Sequence, residues 1–165
     1  MEPLYLDTYT VSLFGHRIIS EPIEMEKALD EIVRELIRSK KCVEFLVGRN
    51  GDFDIMAASV IRRAKRDMDY GNTFLVLVLP YSNAVSQKKI KEYESYYDEV
   101  EVCEESAAAH FKAAFKIRNR HMVERSNLTV CCVQHNSGGA YEALRYAEST
   151  GIKVINIAAK QTFQP

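Results

Sequence analysis

A chain of 165 residues, 47% hydrophobic and 27% charged, has the size and balance of one ordinary globular domain. Its formal net charge of -1 argues against a nucleic-acid partner and against an anionic membrane surface, while leaving room for a local basic patch. No apolar run nears the ~20 residues of a membrane helix. The N-terminus "MEPLYLDTYT" lacks the basic stretch of a signal peptide, so a cytoplasmic protein is expected.

In chain order, a tail over 1–9 leads to a first strand, "TVSLF" (10–14). A helix over 21–39 follows, with Leu29, Ile32, Val33, Leu36 and Ile37 on one stripe and Ser20-Glu21-Pro22 as its start. "CVEFLV" (42–47) is the second strand, and Phe53, Ala57, Val60, Ile61 and Ala64 set a helix over 53–66. "FLVLVL" (74–79) is the third strand. The charged segment 86–97 reads as a short exposed helix or a loop before a strand at "EVEVC" (99–103). A helix over 106–123 opens at Ser106, and "LTVCCV" (128–133) is the fifth strand. A helix over 139–149 ends at Gly151, then "KVINIA" (153–158) precedes a second tail over 159–165. The four cysteines, Cys42, Cys103, Cys131 and Cys132, have no CxxC spacing and sit in or beside these strands, as small hydrophobes of a reducing compartment do.

Several strands are apolar almost throughout, the pattern of strands covered on both faces. The alternation predicts one α/β domain over 1–165: a three-layer α/β/α Rossmann-like sandwich around a mostly parallel sheet of about six strands.

In such sheets ligands bind beyond the carboxyl ends of the strands. Gly15-His16-Arg17 follows the first strand and Gly48-Arg49-Asn50-Gly51-Asp52 the second. Pro80-Tyr81-Ser82-Asn83 follows the third, and Gln134-His135-Asn136-Ser137-Gly138-Gly139 the fifth. Glycine, arginine, histidine, asparagine and serine therefore gather on one edge, whereas the opposite edge carries lysines and acids. Glycine lets backbone N–H groups approach an oxyanion, and a helix N-terminus adds partial positive charge. Ser137, Gly138 and Gly139 open such a helix, and Arg17, Arg49 and Arg118 are candidate guanidinium ligands. On the basic helix of 111–127, Arg118, Met122 and Arg125 share one side, so at least one arginine is expected to reach the ligand edge.

His16 is the one histidine placed at a candidate site, whereas His110 and His121 read as helix-surface or packing residues. Asp52 and Asp54 read as helix cap and first-turn charge. Asp54 is also a candidate contact to a ribose hydroxyl. The further oxygen ligands of a divalent-ion site are not legible. HxH, HExxH, GxSxG, GxxxxGK[ST] and GxGxxG spacings are all missing, so a nucleotide would bind by another pattern. Tyr93, Tyr96 and Tyr97 are candidates for a flap over a base. Phe111, Phe115, Tyr141 and Tyr146 are either core or the surface of a homo-oligomer.

Taken together, "LFGHR", "GRNGDFD", "FKIRNRHMVERSN" and "NSGGAYEALRYAESTGIKVINIA" resemble the SLOG superfamily, the Rossmann-like group of Smf/DprA and LOG proteins. The resemblance spans about residues 10–158 and is closest to the YpsA-like branch of small stand-alone proteins. It implies a nucleotide or nucleotide-derived ligand held by Gly15, His16, Arg17, Gly48, Arg49, Asn50, Gly51, Asp54, Tyr81, Arg118, Asn119, Asn136, Ser137, Gly138 and Gly139, with no metal and no cofactor that the residues identify. Arg120 and Met122 complete the "RN-x-x-M" match.

LOG proteins cleave the N-glycosidic bond of nucleoside monophosphates with an arginine and the glutamate of PGGxGTxxE. Arg118 matches the arginine. The sequence departs at the glutamate: with Ser137 at the proline position, Arg145 occupies its place and Glu142 falls three residues early, while Tyr141-Glu142 replaces Gly-Thr. The expected function is therefore binding or sensing of a nucleotide-type molecule. The alternative is N-glycosidic cleavage by Arg118 with Glu142 or Asp54. DNA binding is expected least.

Overall fold

The computed structural model describes residues 7–80, 87–107 and 109–160, the side chains of Gln87, Phe111, Lys112 and Lys160 excepted. Among these residues six strands form one sheet: β1 (Thr8–Gly15), β2 (Cys42–Val47), β3 (Thr73–Leu79), β4 (Glu99–Val102), β5 (Leu128–Cys132) and β6 (Lys153–Asn156). Their order is β4-β3-β2-β1-β5-β6, and every pairing is parallel. The connections carry helices α1 (Pro22–Ser39), α2 (Asp52–Met68), α3 (Gln87–Tyr96), α4 (Glu104–Ala107), α5 (Phe111–Glu124) and α6 (Gly139–Thr150), with α7 (Ile157–Lys160) after β6. The chain thus has the three-layer α/β/α Rossmann-like architecture its pattern predicts.

The apolar strands explain the layers. Successive side chains point to opposite faces, and both faces are covered. Val11, Leu13, Val43, Phe45, Leu75 and Leu77 join a core with α1, α2 and α7. Phe14, Leu46, Val76, Val78 and Cys131 join a second core with α5 and α6. One polar pair sits inside, where Ser12 and Thr129 face each other across β1 and β5 with hydroxyls 2.8 Å apart, satisfying both. Burial holds the Cys131 thiol at about 12 and the Cys132 thiol at about 11, so neither ionises near neutrality.

Three boundaries differ from expectation. β1 starts at Thr8 because Thr8 and Tyr9 still pair with Cys42 and Val43. The single helix expected over 106–123 is α4 followed by α5: Ser106 is buried and donates to the carbonyls of Pro80 (2.5 Å) and Cys103 (2.9 Å), which ties α4 to the end of β3. "KVINIA" is strand only to Asn156. There the Asn156 carboxamide oxygen accepts the Val133 N–H (3.0 Å) and the Ala158 N–H (3.2 Å), turning the chain into α7 and burying Ile157. The charged segment before β4 takes the helical alternative as α3.

The end of β1 lies hard against α2. A Cβ on Gly15 would fall 2.1 Å from Cγ of the fully buried Phe53, a distance that backbone or ring must move to relieve. Gly15→Ala should therefore destabilise the fold by about 1–3 kcal/mol, read as a lowered urea midpoint with an unchanged slope.

Candidate functional site

β1 is where the strand order reverses, since β2, β3 and β4 lie on one side of it and β5 and β6 on the other. Open α/β sheets leave a crevice at this switch point. Here it is a cavity of about 400 Å³. Gly15, His16, Arg17 and Ile18 line it from the end of β1 and the loop after it, Gly48 and Asn50 from the β2–α2 turn, and Asp54 from the first turn of α2. Phe115, Arg118 and Asn119 come from α5, and His135, Gly138, Gly139 and Ala140 from the turn into α6.

Arg118 forms the floor and is only 5% exposed. Its Nη1 donates to the Val78 carbonyl at 3.1 Å and its Nε to the Asn119 carboxamide at 3.1 Å. Nη2 has no acceptor among the described residues. Burial lowers its pKa and the nearby Asp54 charge opposes that, yet a guanidinium keeps its proton throughout the ordinary pH range. Asp54, also buried, accepts the Asn50 N–H at 2.8 Å through Oδ2, closing the glycine-rich turn back on itself. Desolvation pushes its pKa up, and the Asn50 bond and Arg118 only partly compensate.

The turn has steric reasons for its glycines. Gly51 is the N-cap of α2 at φ 139°, and a Cβ there would lie 2.4 Å from the Arg17 Cα. Arg17 is held by its own carbonyl, which accepts the Asp52 N–H at 2.8 Å, and by its Nη2, which donates to Asn50 Oδ1 at 2.9 Å.

Across the cavity, α6 begins at Gly138 without a side-chain cap. Its first helical bond runs from Glu142 N–H to Gly138 O, so the N–H groups of Gly139, Ala140 and Tyr141 have no acceptor within the helix. Beside them, His16 and His135 stack with centroids 3.7 Å apart and planes 9° from parallel. The His135 N–H donates to His16 Nε2 at 3.4 Å, which leaves the His16 ring proton on Nδ1. Desolvation and the neighbouring His135 both lower the His16 pKa.

The structure brings together Gly15, His16, Arg17, Gly48, Asn50, Asp54, Arg118, Asn119, Gly138 and Gly139 around one cavity. Gly51 and Ser137 support it from behind, Ser137 through a 3.1 Å contact to His135 Nδ1. Arg49 turns away: its Nη1 donates to Tyr97 Oη at 3.2 Å, and its guanidinium lies 4.9 Å from the Tyr93 ring centroid. Those tyrosines thus pack on Arg49, and Tyr96 on Arg62, rather than standing over the cavity. Asn136 is exposed outside the lining, and Tyr81 lies outside the described residues. Glu142 lines a neighbouring cavity, so the carboxylate sharing Arg118's cavity is Asp54. Sequence reasoning put His135 on the ligand edge without choosing it as a site residue, gave Phe115 to the core or an oligomer surface, and passed over the exposed Ile18. His135 was findable from its place in the same strand-end motif as Ser137. Among the described residues, no group of three or more His, Cys, Asp or Glu is placed to hold a metal ion, and no helix is long and apolar enough to cross a membrane.

By sequence, the chain matches no family model and no curated protein. Its fold is similar to that of DNA processing protein A from Helicobacter pylori, a structure described for its single-stranded DNA binding mode. The TM-score is 0.57 at 15% identity, over 88% of this chain and 63% of that one. It is also similar to DNA processing protein A (DprA) from Streptococcus pneumoniae, with a TM-score of 0.56 at 14% identity over 97% of this chain and 63% of that one. The chain therefore spans less than two thirds of the length of either neighbour. The likeness establishes the fold.

It also overturns one expectation. A net charge of -1 does not argue against nucleic acid on this fold, because the H. pylori neighbour binds single-stranded DNA. Whole-chain charge averages over faces that a ligand never meets, and the local field decides.

The histidine pair makes a pH prediction. An unfolded His16 takes up its proton near the ordinary 6.5, whereas the folded ring resists, so its support for the fold is complete above pH 6.5 and drains away as pH falls below that value. Thermal melts of His16→Gln should thus lose less stability between about pH 7.5 and 5.5 than wild type does. Parallel pH profiles would refute the assignment.

Proposed function

We propose that the switch-point cavity binds the phosphate of a nucleotide or nucleotide-derived molecule. The observation that carries this is Arg118, a buried cation whose Nη2 has no protein acceptor among the described residues, facing the uncapped N-terminus of α6. Backbone N–H groups, a helix end and a fixed guanidinium together suit a phosphate oxygen. Asp54, across the cavity, suits a sugar hydroxyl. The resemblance to the YpsA-like branch of SLOG proteins supports the same reading, as a binding or sensing module of the cytoplasm. A nucleotide unit within a single strand is one form of such a ligand, in keeping with the H. pylori neighbour.

A hydrolytic reading has one observation behind it: Asp54 is a carboxylate beside Arg118 in the cavity, as N-glycosidic cleavage requires. Both readings meet one experiment, titration calorimetry with AMP, ADP-ribose, NAD and a short deoxyoligonucleotide, followed by chromatography for released base. Saturable binding without released base supports the binding module, and base release abolished by Asp54→Asn supports the hydrolase. Arg118→Ala should weaken binding about 10- to 100-fold, the worth of a charge-assisted hydrogen bond. Binding that is indifferent to Arg118→Ala, or no binding of any probe, would overturn the proposal.

A further inference from the structure

A second cavity, of about 480 Å³, opens between α5 and α6. It adjoins the first, for Phe115, Asn119 and Gly139 line both. Its other walls have a distinct chemistry. Lys116 and Arg120 approach from α5 and Arg145 from α6, against a single carboxylate, Glu142. All three cations are exposed. Arg120 stacks over the Tyr146 ring at 4.9 Å, and the Tyr146 hydroxyl donates to Glu124 at 2.5 Å, which holds that wall in place. Tyr141 adds a half-buried aromatic side chain beside the shared Gly139. Cations interleaved with aromatic rings are the surface on which bases stack and the phosphates joining them are neutralised.

We propose that the two cavities are one binding groove for a ligand of two nucleotide units joined through phosphate, one unit held over Arg118 and the other seated between α5 and α6. The inference rests on the nucleotide reading of the first cavity and names the ligand class. A mononucleotide would fill the first cavity and leave Lys116, Arg120 and Arg145 unused. A two-unit ligand crosses at Asn119 and Gly139 and brings its second base and the joining phosphate to that cationic, aromatic wall. Charge complementarity selects this occupant: three cations to one carboxylate suit a phosphate linker.

The test compares AMP with two ligands that share this chemistry but differ in linkage, diadenosine diphosphate and the dinucleotide pdApdA, on wild type and on the double variant Lys116→Ala/Arg145→Ala. The preferred linkage should bind at least about tenfold tighter than AMP to wild type, the worth of one stacked base. In the double variant that advantage should vanish, while AMP affinity and melting temperature stay at wild-type values. The proposal is overturned if AMP binds as tightly as both two-unit ligands, or if the double variant keeps the full advantage. AMP binding that depends on Arg118 without any two-unit advantage sinks this inference alone. Two-unit binding that is lost in the double variant but indifferent to Arg118→Ala supports the second cavity and sinks the reading of the first. Silence from all three ligands sinks both.

Discussion

A side chain at position 48 would stand where the Arg118 guanidinium and the Asp54 carboxylate now lie, for a Cβ there falls 2.8 Å from Arg118 Nη1 and 3.0 Å from Asp54 Oδ2. The missing side chain lets residues from the two helical layers meet over the end of β2, Arg118 from α5 on one face and Asp54 from α2 on the other. Desolvating an ion costs several kcal/mol unless other groups replace its water. For Arg118 the replacement is the Val78 carbonyl, the Asn119 carboxamide and the field of Asp54. For Asp54 it is the Asn50 N–H and the field of Arg118. Burial still disfavours charge on both. Arginine, with an ordinary value of 12.5, remains ionised, and the carboxyl absorbs the strain as a raised pKa.

Around this pair the loops are latched to one another. Gln134 exchanges two hydrogen bonds with the Ser20 backbone, at 2.8 and 2.7 Å, joining the loop after β1 to the loop after β5. Asn156 does the same for Val133 from β6, at 3.0 and 3.1 Å. The Asp52–Arg17 backbone bond joins the loops after β1 and β2. The first two latches use residues outside the lining. Donors at the α6 N-terminus are thereby fixed before any ligand arrives, which spares the ordering cost that weakens flexible sites.

The strand and helix sequence was legible because burial on both faces writes apolar runs, and burial on one face writes stripes such as Leu29, Ile32, Val33, Leu36 and Ile37. The misreadings came where a single side chain overrides a pattern. Asn156 ends a run that looks like strand through Ala158, and Ser106 ties down a short helix apart from the alanine-rich one. The site's location was legible from glycines and arginines massed after the strands. Which arginine enters was not, because that depends on partners distant in sequence. Arg49 lies in the right turn but finds Tyr93 and Tyr97, whereas Arg118, sixty-odd residues further on, lies beneath Gly48. Net charge misled for a related reason. Glu44 and Glu101 pair with Arg125, and Asp30 and Asp67 with Arg34, none of them lining the cavity, so the sum counts acids that a ligand there would not touch.

Two helix N-termini aim at the cavity, and they are not equivalent. α2 carries Asp52 and Asp54 in its first turn, and its first N–H, that of Asp52, is engaged by Arg17 O, so its positive end is already met in part by its own carboxylates and by the chain. α6 has only Glu142 there, and that side chain lines the neighbouring cavity. Its end field is the one left for an anion. With Arg118 between the two, a phosphate is stabilised on the α6 side and repelled on the α2 side. On the proposed reading, a phosphorylated sugar would have one favourable orientation in this cavity, phosphate toward Gly138–Ala140 and hydroxyls toward Asp54. That orientation directs the far side of the phosphate to Asn119 and Gly139, where the second cavity begins.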